Sequence, residues 1–494
     1  MSMPNETVIS GNKELFDKVR ALNLPAGEYA LFGSAPLGVR NLKECRDVDV
    51  IVSSRVFEGF QGMPGWEVKV TDFGSEYMSF GQIELWKNWY PGAWNIEELI
   101  RDAETIAGLP FVRLERVLEW KKLLRREKDI SDIATIEHFF GAWKFYLNPR
   151  DAWSAMLEDC AAATKTIYLE SYIFAADEAG KRFTELFQKK VKEGVRVRIL
   201  CDMVGSYGFF NSPYAKSLAD QGIEIRFFNQ INPWRVNKLF SWFRRDHRKI
   251  FIVDSRVGYM GGVNIGARMA NWRDTHVRIE GLVVRDMCYG FERMWAATHE
   301  KRFLRLQKPY VAMPEFSFLT SSPRLRQRFI YRNMLKVIRG AKRYIYFSTP
   351  YFVPTLRLFQ SLMAAAKRGV DVRILLPEKS DVRTVDIASG SYFTLALKSG
   401  VKIYRYQTSI FHVKTCVVDD EWATVGSANL DNVSLFFNYE ANLVSRTKPF
   451  IKELKGHFMK DVESSRELHY DTWITRPLAL KFLELATWPF HKIF

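Results

Sequence analysis

The sequence predicts an α/β protein made of two related α/β sandwich halves, preceded by a smaller α+β domain. Three observations predict it. His247-x-Lys249-x4-Asp254 recurs as His412-x-Lys414-x4-Asp419, 165 residues further on. The runs around each copy recur in the same order, and the first 140 or so residues share neither feature. We place the domains at residues 1–142, 143–310 and 311–494, the first boundary near the point where Tyr146, Asn148 and Pro149 break the pattern.

In chain order, the leading domain opens with an apolar strand through Tyr29-Ala30-Leu31-Phe32 that runs into Gly33-Ser34. A second strand carries Asp47 and Asp49 at i and i+2, hence on one face, and Glu84 sits in a third strand-like run. Three carboxylates converging from two strands would hold one or two Mg2+ ions. The Gly33-Ser34 turn would let backbone N–H groups approach the phosphates of a nucleoside triphosphate.

The duplicated region follows. Residues 165–172 parallel 343–351, residues 194–200 parallel 369–375, and residues 222–225 parallel 400–403. The stretch before Gly194, Gly222, Gly369 and Gly400 reads each time as a helix ended by that glycine. Strands alternating with helices indicate a parallel or mixed sheet covered by helices, once per half. Each motif copy sits in a strand-like run, Lys249 to Val253 and Lys414 to Val418, followed by a small-residue turn ending in Asn264 or Asn429.

His247 and Lys249 lie on one strand face, as do His412 and Lys414. If the copies meet at a pseudo-two-fold interface, two His and two Lys converge. Two lysines suit a phosphodiester oxygen pair. Two histidines suit one nucleophile and one proton donor, because imidazole titrates near neutral pH. Such a site could attack phosphorus covalently and then run in reverse onto an alcohol or water, with the lysines rather than a metal supplying the charge. Asp274, 27 residues after His247, and Glu440, 28 after His412, are the acids that could fix the histidine tautomers. Asp254 and Asp419 fall where each strand should end in a turn. Cys416 reads as a small core residue.

Residues 231–245, just before the first His, hold two Trp, two Phe and four cations. That composition suits a lipid interface over anionic headgroups, and also stacking on single-stranded nucleic acid. Residues 476–490 are apolar with few charges, too short and interrupted to span a bilayer, and could form an amphipathic anchor or a core helix.

From about Phe145 onward the chain resembles the phospholipase D superfamily, which is defined by paired HxKxxxxD motifs, and most closely its bacterial cardiolipin synthases. The runs that carry the resemblance are Arg244 to Lys249, Trp272 to Val277 and Val425 to Asp431. It implies two phospholipase D-type sandwich halves and a phosphohistidine on His247 with His412 as the acid. Lys249, Lys414, Asn264 and Asn429 would hold the phosphoryl oxygens, with Asp254 and Asp419 completing the motifs. It further implies transfer of a phosphatidyl group onto phosphatidylglycerol to give cardiolipin, with no cofactor. The alternative in the same superfamily is a phosphodiesterase or nuclease acting on nucleic acid. The first 140 residues resemble the nucleotidyltransferase fold of the DNA polymerase β superfamily, through Gly33-Ser34, Asp47-x-Asp49 and Glu84. That resemblance implies Mg2+ and a nucleoside triphosphate there.

A formal charge of +16 favours anionic partners: phospholipid membranes or nucleic acid. Five scattered Cys argue against a disulfide framework or zinc site and for a reducing compartment. With no run of eighteen apolar residues and no signal-peptide core at the start, the expectation is a cytoplasmic protein peripheral to the inner face of a membrane.

Overall fold

The computed structural model describes residues 10–72, 74–210, 212–229, 244–299 and 315–487. Two compact units meet in sequence at Phe140 and Gly141. The aromatic-basic run at 231–243 and the last residues of the tail lie outside the described residues.

The first unit is built on a seven-stranded mixed sheet with Val48–Val52 near its centre. That strand pairs antiparallel with Tyr29–Leu31 and parallel with Ile83–Trp86. Leu15, Phe16 and Val19 of helix Ser10–Ala21 cover it, sharing a core with Val50, Leu85 and Phe111.

The second unit holds two sheets with one plan. In the first half the order is Glu224–Phe228, Arg196–Asp202, Thr166–Ser171, Lys249–Val253, Val257–Gly261, His276–Glu280, Trp143–Tyr146. The second half repeats it strand for strand: Lys402–Tyr406, Asp371–Pro377, Tyr344–Ser348, Thr415–Val418, Trp422–Gly426, Glu440–Ser445, Phe316–Ser322. It adds Ser465–Leu468 and Gln327–Arg328 at its edges. In each half the first three strands are parallel and the motif strand runs antiparallel to the third. Crossover helices such as Glu178–Lys192 and Leu356–Lys367 link the parallel strands, and each ends near a glycine at positive φ, Gly194 and Gly369.

Both motif strands are buried along their length, which is why they read as continuous apolar runs rather than alternating ones. Side chains of alternate parity enter different cores. Phe251 and Val253 pack outward, under the helices of the first half. Ile250 and Ile252 face inward, into a core shared with Val417, Val425 and Leu443 of the second sheet. Helices Val283–His299 and Lys448–Glu463 complete that shared core through Phe291 and Phe450. The two halves therefore fold around one apolar interior. The tail helix Leu478–Thr487 packs on Arg383–Lys398. Among the described residues no helix is long and apolar enough to cross a membrane.

Candidate active site

The segments leading into the two motif strands cross between halves. His247 N–H donates to the Tyr439 carbonyl at 3.0 Å, and Tyr439 N–H donates to the Arg245 carbonyl. The second half mirrors this, with His412 N–H donating to the Arg273 carbonyl at 2.8 Å. Each His is thus stitched to the residue just before the other half's acid. The consequence is an exchange of partners. His247 Nδ1 lies 3.0 and 3.2 Å from the two Glu440 carboxylate oxygens, and His412 Nδ1 lies 2.7 Å from Asp274 Oδ2. Both acids identified from the spacing are in the site, but each serves the His of the opposite repeat. A carboxylate beside Nδ1 keeps the proton there and leaves the Nε2 lone pair for chemistry.

The two lysines adopt equivalent poses, Lys249 Nζ donating to the His247 carbonyl and Lys414 Nζ to the His412 carbonyl, both at 2.6 Å. Ring edges bracket the imidazoles: Tyr172 is 5.0 Å from His247 and Trp272 is 5.3 Å from His412. Gly262 makes room for the assembly, since a Cβ there would stand 2.1 Å from Asp274 Oδ1.

Burial and crowding by like charge set the electrostatics. Burial first, then Lys249, Lys414 and His412, holds His247 well below the usual imidazole value. His412 is lowered by burial and Lys414 but is supported by Asp274. Burial pushes Lys249 down to about 7 and Lys414 to about 8. The acids differ. Burial lifts Glu440 to about 7 against the pull of Lys249 and of two hydroxyl donors, Ser427 and Ser434, each 2.5 Å away. Burial would also raise Asp274, but His412 and Lys414 outweigh it and hold that carboxyl below the usual range.

Asp254 and Asp419, grouped with the catalytic residues by the motif, stand elsewhere. Each lies past the far end of its strand, about 16 Å from the motif Lys at the rise of a β-strand. Asp254 accepts the backbone N–H groups of Thr164, Lys165 and Thr166 at 2.7–2.8 Å. Asp419 accepts those of Lys342, Arg343 and Tyr344 at 2.6–2.8 Å. Both have positive φ, a conformation Asp tolerates better than most residues. They tie strand ends, as the expected turn suggested. Asn264 Oδ1 accepts from Ile173 N–H at 3.0 Å, and its carbonyl from Trp153. Asn429 is buried, and its Oδ1 accepts no hydrogen bond among the described residues.

Sequence reading overlooked Ser427, Ser434, Tyr172 and Trp272 as parts of the site. Ser427 sat in plain view inside the Gly426-to-Asn429 turn; Ser434 carries no local signal. Behind the first motif, burial raises Glu170 and Asp246, which flank Arg248.

In the first unit, Asp49 and Glu84 are register partners on adjacent parallel strands. Burial, then Asp47 and Glu84, pushes Asp49 up to about 7; burial and Asp47 raise Glu84. Gly33 has φ +62, and a Cβ there would collide with Asp49 Oδ2. The turn offers fewer donors than expected: Ala35 N–H is committed to the Phe32 carbonyl and Pro36 has none. Among the described residues no three His, Cys, Asp or Glu are spaced to hold a metal ion. The donor set therefore fits a hard cation in kind, while the side chains do not stand at ligand spacing.

A family model for the phospholipase D-like domain of cardiolipin synthase matches residues 156–295 and 334–462, together more than half of the chain. The chain is 33% identical over 353 residues to a cardiolipin synthase of Geobacillus sp. (strain WCH70), covering 68% of this chain and 69% of that one. It is 34% identical over 353 residues to the major cardiolipin synthase ClsA of Bacillus subtilis (strain 168), covering 68% and 72%. Among solved structures, phosphatidylserine synthase of Haemophilus influenzae Rd KW20 shares the fold with a TM-score of 0.58 and 14% identity, over 71% of this chain and 94% of that one. The duplicated sheets, the paired motifs and these matches agree: the chain belongs to the phospholipase D-like family that includes the cardiolipin synthases.

Proposed function

We propose that the second unit is a phosphatidyltransferase that makes cardiolipin from phosphatidylglycerol. The observation that carries this is the doubled His–acid pair facing two lysines depressed by burial, in a chain a third identical to cardiolipin synthases over most of its length. His247, held unprotonated at neutral pH, attacks the phosphorus of one phosphatidylglycerol through Nε2. The P–O bond to the glycerol headgroup breaks as His412, supported by Asp274, protonates the leaving oxygen. The hydroxyl of a second phosphatidylglycerol then attacks the phosphohistidine, His412 takes its proton, and the P–N bond breaks. Lys249 and Lys414 neutralise the phosphoryl oxygens throughout, helped by Asn264 and Asn429.

The test is mass spectrometry of products from phosphatidylglycerol vesicles, with EDTA present. Cardiolipin plus free glycerol supports the reading and shows that the lysines suffice. Phosphatidic acid alone makes the protein a hydrolase of the same mechanism. Activity only on single-stranded nucleic acid replaces the reading with the nuclease alternative. For the first unit, the carboxylates Asp47, Asp49 and Glu84 suit a divalent cation and a nucleotide in chemical kind alone; titration with Mg2+ and ATP that yields neither heat nor a higher melting temperature rejects such a site.

A further inference from the structure

The two halves differ in one loop beside the active site, and that loop carries a carboxylate to which the mechanism gives no task. Hydrogen bonds fix which positions are equivalent. Ser171 Oγ donates to the Ile173 carbonyl and Thr349 Oγ1 to the Tyr351 carbonyl, both at 2.8 Å. Phe174 N–H then donates to Ser206 Oγ, and Phe352 N–H to Ser389 Oγ. Tyr351 therefore stands where the first half has Ile173, and Ser389 where it has Ser206. The seven-residue strands before those serines end at Asp202 and Pro377. Ser206 comes four residues after Asp202, whereas Ser389 comes twelve after Pro377. The extra residues form loop 378–382 and the start of helix Arg383–Lys398. The first half closes the same turn without them, so the sheet plan does not require them.

The loop is held in place. Arg405 Nη2 donates to the Glu378 carbonyl at 2.7 Å and to Asp386 Oδ1 at 3.0 Å, and Val382 N–H donates to Ser380 Oγ at 3.1 Å. Within it, exposed Asp381 accepts through Oδ1 from Tyr351 Oη at 2.8 Å and from Ser380 Oγ at 3.5 Å. Among the described residues no hydrogen bond reaches Asp381 Oδ2. Burial, then Asp381, keeps the Tyr351 phenol protonated, so tyrosine donates, carboxylate accepts, and one carboxylate oxygen is left over. The pair lies beside the second His–Lys couple. Burial lowers both His412 and Lys414; Asp381, after Asp274, is among the charges that support their protonated forms.

The reaction supplies an occupant for that position. His412 protonates the leaving glycerol oxygen and later takes the proton of the attacking glycerol hydroxyl. The leaving and attacking oxygens therefore stand in turn at His412 Nε2, and each has a hydroxyl on the neighbouring carbon. We propose that Asp381, oriented by Tyr351, accepts that neighbouring hydroxyl, making the His412 side of the site a polyol subsite that selects a vicinal diol over water or a plain alcohol. The inference rests on the phosphatidyltransferase reading of the site. It gives the second half's extra loop a task that the first half, on the side of the phosphohistidine, does not have.

The experiment gives the full chain phosphatidylglycerol vesicles together with isotopically labelled glycerol and 1-propanol, and reads by mass spectrometry the ratio of labelled phosphatidylglycerol to phosphatidylpropanol. Both products come from one phosphohistidine, so the ratio does not depend on how much of a variant is folded. The unaltered chain should favour glycerol. Asp381→Ala should reduce that preference about 10–100-fold, the scale of a lost hydrogen bond to a charged group. Tyr351→Phe should reduce it in the same direction by less. An unchanged ratio in Asp381→Ala overturns the proposal, as does an unaltered chain with no preference between the two alcohols. If the unaltered chain forms cardiolipin while Asp381→Ala keeps the parental ratio, the phosphatidyltransferase reading stands and this inference alone fails. If the unaltered chain hydrolyses the lipid but transfers to neither alcohol, that reading fails and the subsite fails with it.

Discussion

At neutral pH the site holds less positive charge than two lysines and two histidines would carry in water, because burial disfavours every one of those cations. An arriving phosphodiester reverses this by pairing with the ammonium groups. Lys249 and Lys414, near 7 and 8 in the free chain, should then move up toward the ordinary lysine range. Binding of inorganic phosphate at pH 8.5 should therefore take up protons, and affinity should fall as pH rises beyond about 8. Calorimetric titration in buffers of different ionisation enthalpy reads the uptake directly; a buffer-independent heat refutes it. Stability follows the same sign. The unfolded chain keeps both lysines protonated up to about 10.5, so their contribution to stability rises with pH from about 7 toward that value. The exchanged acids give a second prediction. Asp274→Asn and Glu440→Gln should each lower kcat by roughly three to four orders of magnitude, the scale seen when a histidine loses its orienting acid. In Asp274→Asn the imidazole resonances that shift should be those of His412, and in Glu440→Gln those of His247; the reverse assignment would refute the cross-pairing.

Among the elements, the motif strand does two jobs at its two ends. One end presents His and Lys, and the other ends in an aspartate that gathers three backbone N–H groups from the start of the neighbouring strand. Removing that acceptor leaves the donors without a partner, a loss of about 3 kcal/mol for hydrogen bonds to a charged group. Asp254→Ala and Asp419→Ala should accordingly lower the midpoint of denaturant unfolding while kcat of the folded fraction stays near that of the parent. A large fall in kcat at unchanged stability would put the aspartates back into the chemistry.

Over the whole molecule, the two halves share an interior. Phe291 of the first half and Phe450 of the second stand in one apolar cluster with side chains from both inner sheet faces. Neither half can bury its inner face alone, so scanning calorimetry should show a single transition for the second unit. Phe291→Ala, which empties a fully buried site in that cluster, should destabilise the transition as one by about 3–5 kcal/mol without splitting it. Two resolved transitions, one per half, would contradict the shared core.

The sequence by itself determined the chemical inventory and the duplication. His247, Lys249, His412, Lys414, Asp274 and Glu440 were legible because strand periodicity and fixed spacing are properties of one dimension, and the paired strands because each half repeats its apolar runs in order. Tertiary structure alone decided which acid serves which histidine, that Ser434 steadies Glu440, and how far burial depresses the lysines. Those outcomes depend on segments 138 and 193 residues apart meeting across a common core. Burial of the two inner sheet faces drives that meeting, and no local pattern of residues encodes its register.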